Sequence, residues 1–508
     1  MRKAIPLVLL SAATICISFK SDRVNLGMIT RIKQEGFNDS KVMQTLFELT
    51  DVNGPRLTGS AGMKHAEKWA VQKLKEWGLE NVHTERWGTF GKGWEIQKCY
   101  VAMKAPYYQA LIAVPKAWTP GTNGNITGDA ILVKTDSLDK YAGKLNGKIV
   151  VLATGDAYDQ NMGLKADASR LTEEDLRRTA MDPHITDADN PKAGRNYHPY
   201  ISRQKIDSFL MAEGAKAVIS LRRGNMGTVF TSNGASRAWD AKPVLPELEM
   251  GSEHIYRLER LLTAGKKVSL EMDIKTSFSM ADSTEYNVVG EIPGTDRELK
   301  NEIVMLGAHM DSWHAATGAT DNGTGTAVTM EAVRILKALN IHPKRTIRIV
   351  LWSGEEQGLL GSRGYVKKHF GDRLTMQLKP EQELVSAYYN LDNGGGKIRG
   401  IYTQNNDAVY PIFEQWLQPF KDLDATTVTN RNTGGTDHLS FDEIGIPGFQ
   451  FIQDPMEYGS RTHHSNMDTY ERANANDLMQ ASIIMASFVY NTAMRDEMLP
   501  RKPLPKRK

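Results

Sequence analysis

Two adjacent carboxylates stand at the end of a short run that suits only a covered strand. Residues Ile349-Val350-Leu351-Trp352 lead into Ser353-Gly354-Glu355-Glu356. β-Branched and aromatic residues with no polar alternate face belong in a sheet with helices on both sides. The run therefore delivers Glu355 and Glu356 to one spot at its C-terminal end. Two like charges held at a buried edge are costly unless positive charge stands beside them. The competing reading, an exposed charged turn, sits poorly with so apolar an approach.

The pattern around this run is strand and helix in alternation. Strands are expected at 303–307, 346–352, 384–391 and 448–452. Helices are expected at 324–339, 362–370, 409–417 and 478–492. This is an α/β pattern, with a mixed, largely parallel sheet covered by helices on both faces. In such folds ligands gather beyond the C-terminal strand ends. His309 and Asp311 follow one strand, Glu355 and Glu356 the next, and Asp392 a third.

Upstream, residues 24–80 are helical in character, and strands are expected at 82–87, 94–101 and 107–114. From about Gly124 the texture changes to short apolar strands split by Gly, Asp and Asn turns, with a polar stretch at 158–200 that reads as a surface excursion. No metal-site candidate falls between 124 and 280. The expected division is a catalytic domain in two parts, 24–123 and 281–498, interrupted by a β-rich insertion at 124–280. Insertion at a surface loop is physically cheap. Residues 499–508, proline and basic apart from two leucines, read as a disordered tail.

The first 19 residues, basic and then apolar, read as a secretory signal peptide and are short for a membrane span of about 20 residues. Export to the periplasm or medium is the expectation. Lipid anchoring through Cys16 is the weaker alternative, because Ala13-Thr14-Ile15 matches poorly the small residues such a site needs. After cleavage only Cys99 remains, so no internal disulfide is available. No other segment is long and apolar enough to span a membrane. A formal charge of +3 over 508 residues gives no basic footprint for nucleic acid.

The candidate ligands are His309, Asp321, Glu355, Glu356, Asp392 and one of His463 or His464. Histidine and carboxylate without cysteine suit zinc, manganese, cobalt or iron. Asp311 can orient His309 through the second imidazole nitrogen. Asp321 opens the glycine-rich turn Asp321-Asn322-Gly323-Thr324-Gly325, where the bland reading is a helix cap. Asp392 reads blandly as a turn cap. Of two neighbouring carboxylates, one can ligate a metal while the other takes a proton.

The stretches GAHMDSW (307–313), GATDNGTG (318–325), PKRTIRIVLWSGEEQGLLGS (343–362), NLDNGG (390–395), GGTDHLSF (434–441) and HHSNMDT (463–469), with GPRLTGSAG (54–62), resemble the co-catalytic zinc exopeptidases of the M28 family. The similarity points to its plasma glutamate carboxypeptidase branch. The resemblance implies a zinc-peptidase fold, an inserted protease-associated domain and two zinc ions. Asp321 would bridge the ions, His309 and Asp392 would complete one site, and Glu356 and His464 the other. Glu355 would be the general base, Asp311 would orient His309, and the Asp321–Asn322 peptide would be cis. Tyr458 is a candidate donor to the tetrahedral intermediate. His314 and His438 depart from that branch and put specificity in question. The expected activity is an aminopeptidase acting on peptides, with dipeptidase or carboxypeptidase action as the alternative. A homodimer is compatible with the resemblance. A non-catalytic receptor-like protein on the same scaffold and a single-metal acyltransferase resembling glutaminyl cyclase are the readings from other classes.

Overall fold

The computed structural model describes residues 24–155, 166–181, 203–279 and 283–504. The expected signal peptide and Cys16 lie outside them.

The main sheet has eight strands. In spatial order they are Glu80–Thr89, Thr284–Ile292, Thr346–Trp352, Ile303–His309, Val385–Asn390, Gly448–Gln453, Ile398–Tyr402 and Thr427–Thr429. The four central strands, from Thr346–Trp352 to Gly448–Gln453, are mutually parallel, and antiparallel pairings lie toward the edges. Side chains alternate between two cores. Leu306, Ile349 and Leu351 join one with helices Thr324–Ala338 and Ala475–Met494. Met305, Val350 and Trp352 join the other with Tyr365 and Val366 of helix Leu360–His369. Burial of both faces explains why these strands lack a polar face.

Helix Thr324–Ala338 is buried from Thr324 to Leu336, wedged between the sheet and the C-terminal helix. Its first turn packs so tightly that a Cβ on Gly325 would lie 2.2 Å from both the Leu391 carbonyl oxygen and Asn322 Oδ1. The turn before it is where Asp321 sits.

A second sheet, also of eight strands, corrects the expected boundary at 124. It includes Gly93–Ala105, Gln109–Ala110 and Ala113–Pro115 together with strands from 125–279. Gly93–Ala105 pairs antiparallel with Ser269–Ser279 along almost its whole length. The chain thus leaves the main sheet at Thr89 and is already in the second at Gly93. The change of texture at Gly124 marks only the start of shorter strands, since the long-range partner of 93–105 leaves no local signal. The expected single strand at 107–114 is two short ones.

One further expectation gains detail and another is corrected. Part of the polar 158–200 stretch is docked: helix Glu173–Met181 lies beside Thr427–Thr429, and Ser169 pairs with Met456. The rest of it, 158–165 and 182–200, lies outside the described residues. The tail is anchored at 499–502: Leu499 is buried, and the Arg501 guanidinium donates to the carbonyl oxygens of Gln382 and Val385 at 2.8 and 2.7 Å. Among the described residues no helix is long and apolar enough to cross a membrane.

Candidate metal centre

Register in the central sheet places the chemistry. His309 pairs with Trp352, and Gly307 with Asn390. Residues just beyond these strand ends therefore meet at one edge. His309 Nε2 lies 3.3 Å from Asp392 Oδ1, 3.6 Å from Asp321 Oδ1 and 3.9 Å from Glu355 Oε2. On the far side of Asp321, Oδ2 lies 3.2 Å from His464 Nε2, which is itself 2.9 Å from Glu356 Oε2. Asp321 thus faces two clusters, one oxygen to each. Its bond to Asn322 is cis.

The structure also separates His463 from His464. His463 Nε2 is 3.8 Å from Asp321, and the ring leans on His464 and Tyr458. His464 reaches both Asp321 and Glu356. Two groups could hold an ion, His309–Asp321–Asp392 and Asp321–His463–His464, with Glu356 beside the second.

The donor set fits divalent cations. Asp321 Oδ2, Glu356 Oε1 and Asp392 Oδ1 are buried without a hydrogen-bond donor. Burial, then the charge of Asp321, pushes Glu356 up to about 7. His464 goes up to about 10, since Glu356 and Asp321 outweigh the effect of its burial. The bare protein therefore pulls protons onto this cluster, and cations held by the same oxygens would meet the same need.

Asp311 has a different part from the one expected. The His309 Nδ1 group donates to the backbone carbonyl of Asp311 at 3.0 Å, while the carboxylate stands off at 3.6 Å. The carboxylate instead accepts the backbone N–H groups of Glu355 and Glu356 at 3.2 and 3.3 Å and the Thr58 hydroxyl at 2.9 Å. A carbonyl fixes the imidazole tautomer as well as a carboxylate does, which frees the side chain to hold the double-glutamate turn.

Three further contributors, Asp468, Arg56 and Thr58, use their side chains to hold backbone turns or the Asp311 carboxylate, a task many polar residues could fill, so their type gave little signal. Asp468 accepts from the N–H groups of Thr320 and Asp321 at 2.6 and 3.0 Å, holding the Asp321 turn. Its signal was its place in HHSNMDT. Arg56, fully buried, donates to the carbonyl oxygens of Met310, Thr317 and Gly318. Thr58 lies two residues further on. Tyr458 donates its hydroxyl to Asp321 Oδ1 at 3.0 Å, which brings the candidate donor into the centre.

His314 and His438, the two residues that put specificity in question, are both held away from the candidate ligands by backbone carbonyls. His314 is buried beside Trp94, with Nε2 on the Pro115 carbonyl at 2.7 Å, and burial pushes it down to about 4. His438, likewise pushed down to about 4 by burial, is held on the Thr433 carbonyl. Asp454 is committed to Arg170 and Arg399, each at 2.9 Å. Asp437 is fully buried near His309 and Asp392, and burial pushes it up to about 7.

A cleft of about 640 Å³ ends at Glu356. Its walls include Trp118, Trp313 and Gln357, with Arg203, Arg237 and Lys242 from the second-sheet module. The Arg237 guanidinium lies over the Phe90 ring at 4.4 Å, its Nε donates to the Phe90 carbonyl, and among the described residues no carboxylate pairs with it.

Known proteins match this arrangement. The model of peptidase family M28 matches residues 287–489. Carboxypeptidase Q of Mus musculus is 28% identical over 464 residues, covering 89% of this chain and 86% of its own. The crystal structure of a peptidase M28 precursor from Shewanella amazonensis aligns with a TM-score of 0.69 at 26% identity, covering 96% of this chain and 100% of its own. A zinc aminopeptidase from Bacillus subtilis shares the fold at a TM-score of 0.56 and 20% identity, covering 90% and 95%. With two ligand clusters joined through Asp321 at the strand ends that this family model spans, residues 287–489 form a peptidase family M28 region and the chain is a metallo-exopeptidase.

Proposed function

We propose that this protein is an exported two-zinc exopeptidase that removes the N-terminal residue from short peptides. The observation that carries the reading is the charge of the centre. Asp311, Asp321, Glu355, Glu356, Asp392 and Asp437 converge there, more carboxylates than two divalent cations neutralise. A free substrate ammonium suits such a site better than a free carboxylate.

His309, Asp392 and Asp321 would hold one ion, and Asp321, Glu356 and His464 the other. Bound zinc ions would supply Lewis acidity toward the scissile carbonyl and lower the pKa of the attacking water. Glu355, beside the ligands, would take the water's proton and pass it to the leaving amine. Its turn is held by the Asp311 carboxylate, so its carboxylate is aimed in advance. The Tyr458 hydroxyl, which donates to Asp321 Oδ1 at 3.0 Å, would turn to donate to the developing oxyanion.

A second reading, dipeptidase or carboxypeptidase action, is favoured by Arg237 on the cleft wall, a cation suited to a substrate carboxylate. Product analysis separates the two. Purified zinc-loaded protein is incubated with a tetrapeptide, its N-acetylated form and a free dipeptide. Release of the first residue, blocked by acetylation, supports aminopeptidase action. Trimming of the acetylated peptide from its C-terminus, or action confined to the dipeptide, overturns it.

The second-sheet module, residues 93–279, is the counterpart of a protease-associated domain in this reading. The leader at 1–19 directs export, and N-terminal sequencing of the secreted protein checks its removal. Sedimentation of the mature protein tests for a homodimer.

A further inference from the structure

Asn466 follows His464 by two residues, yet its side chain is read by the second-sheet module. Its Oδ1 accepts the Val229 N–H at 2.7 Å, and its Nδ2 donates to the Gly227 carbonyl at 3.1 Å. Its own backbone N–H donates to the Val229 carbonyl at 3.1 Å. The side chain thus satisfies one donor and one acceptor of a backbone segment, as a neighbouring strand would. The seam continues on both sides. The Thr231 N–H donates to the His464 carbonyl at 2.8 Å, Phe230 bridges to Ser465, and Arg461 donates to the Thr228 hydroxyl at 3.0 Å.

This seam matters because of the conformation it holds. His464 has φ +62°, in the left-handed region that a non-glycine residue seldom adopts without outside support. Within the main domain the His463 N–H donates to the Tyr458 carbonyl at 2.9 Å and the Ser465 N–H to the Thr462 carbonyl at 3.0 Å, but the His464 carbonyl and the Asn466 N–H find their partners in the other module. Those partners are Thr231 and Val229 of segment 227–231, which then runs on as Asn233 to Arg237 into the cleft wall.

We infer that Asn466 is a positioning residue that makes segment 227–231 part of the metal centre. It locks the His464 backbone so that the imidazole meets Glu356 and Asp321. The second ion position is then built by both modules, and the wall of the substrate cleft is continuous with it. This rests on His464 being a ligand, as proposed above.

The test uses the full mature chain, with zinc affinities measured by competition with a chelator and hydrogen exchange followed by mass spectrometry. Asn466→Ala is expected to leave one zinc affinity unchanged and weaken the other by about 10–100-fold. Exchange at 227–231 and 463–466 is expected to accelerate while 385–392 stays protected. Asn466→Asp keeps the acceptor and loses the donor, so an intermediate loss is expected, and it serves where the alanine variant fails to fold. Unchanged affinity for both ions despite faster exchange at 227–231, in either variant, overturns the inference, as does equal weakening of both ions. A wild-type chain that binds no zinc, or His464→Ala that binds both ions as tightly as before, fails the reading of the centre itself and takes the inference with it.

Discussion

The carboxylate of Asp311 lies 3.2 Å from the backbone nitrogen of Glu355 and 3.3 Å from that of Glu356. One buried side chain thus fixes the orientation of both the proposed base and a proposed ligand, and the Thr58 hydroxyl steadies it from the N-terminal segment. Outer contacts of this kind are worth about 10–100-fold in metal affinity or activity. Asp311→Asn turns one acceptor into a donor facing the turn and is expected to lower kcat in that range. Thr58→Val should do so more mildly, with Thr58→Ser restoring activity. Equal kcat values across the three variants would remove this clamp from the mechanism.

Glu355→Gln is expected to retain both metals and to lose about 10²–10⁴-fold in turnover, the usual range for a general base. Its carboxylate stands 3.9 Å from His309 Nε2, beyond the nearer Asp392 and Asp321 oxygens. Metal content of the dialysed variant, read beside its kcat, checks this. Loss of metal with residual turnover would make Glu355 a ligand.

What the sequence revealed follows from where the information lies. Strands 303–309, 346–352 and 385–390 were legible because both of their faces are buried, so composition alone marks them. Their ends then located His309, Glu355, Glu356 and Asp392. The choice of His464 over His463 came from the family resemblance and not from residue chemistry, since it rests on a backbone conformation, φ +62° at His464, that no local pattern announces. Asp468 and Thr58 were missed as contributors for a related reason. They bond to backbone amides or to another side chain, which any sequence offers, and only folding brings the two together. The module boundary at Gly93 was hidden because its partner strand lies at 269–279.

The C-terminal segment is expected to stabilise the main domain. Leu499 is buried, the Pro500 carbonyl accepts from Asn406, and Lys502 donates to the Gln404 carbonyl and pairs with Asp442. Burial of one leucine plus charge-assisted bonds is worth about 3 kcal/mol. Truncation after Met498 should lower Tm by several degrees with the metal content unchanged. An identical Tm would return 499–508 to the status of a free tail.

His314 gives stability a pH dependence. Its pKa falls to about 4 in the fold, because burial beside Trp94 opposes the charged ring. The unfolded chain therefore binds a proton below about 6.5 that the folded chain refuses. Stability from this group is complete above that pH and is lost as pH falls toward 4. Between pH 7 and 5 the loss amounts to about 2 kcal/mol. Denaturant unfolding of wild type and His314→Gln at the two pH values checks it. The variant, which keeps a donor for the Pro115 carbonyl, should lose about 2 kcal/mol less than wild type. Equal losses would show that His314 takes up its proton alike in the folded and unfolded chains, so that burial does not oppose the charged ring.

Arg237 decides between the two substrate readings. Its guanidinium is half-buried over Phe90 and lines the cleft that ends at Glu356. A charge-assisted bond from it to a substrate carboxylate would be worth about 1.5–3 kcal/mol, or about 10–100-fold in binding. If the cleft reads a C-terminal carboxylate, Arg237→Gln raises KM for a free dipeptide by that factor and leaves the corresponding dipeptide amide unaffected. Under the aminopeptidase reading, in which the ammonium is held at the metal centre, the variant should treat peptide and amide alike, with KM changed less than about threefold for both, within the usual spread of a surface substitution. The aminopeptidase reading predicts the second outcome, and a selective rise in KM for the free acid would replace it with recognition of both termini of a short peptide.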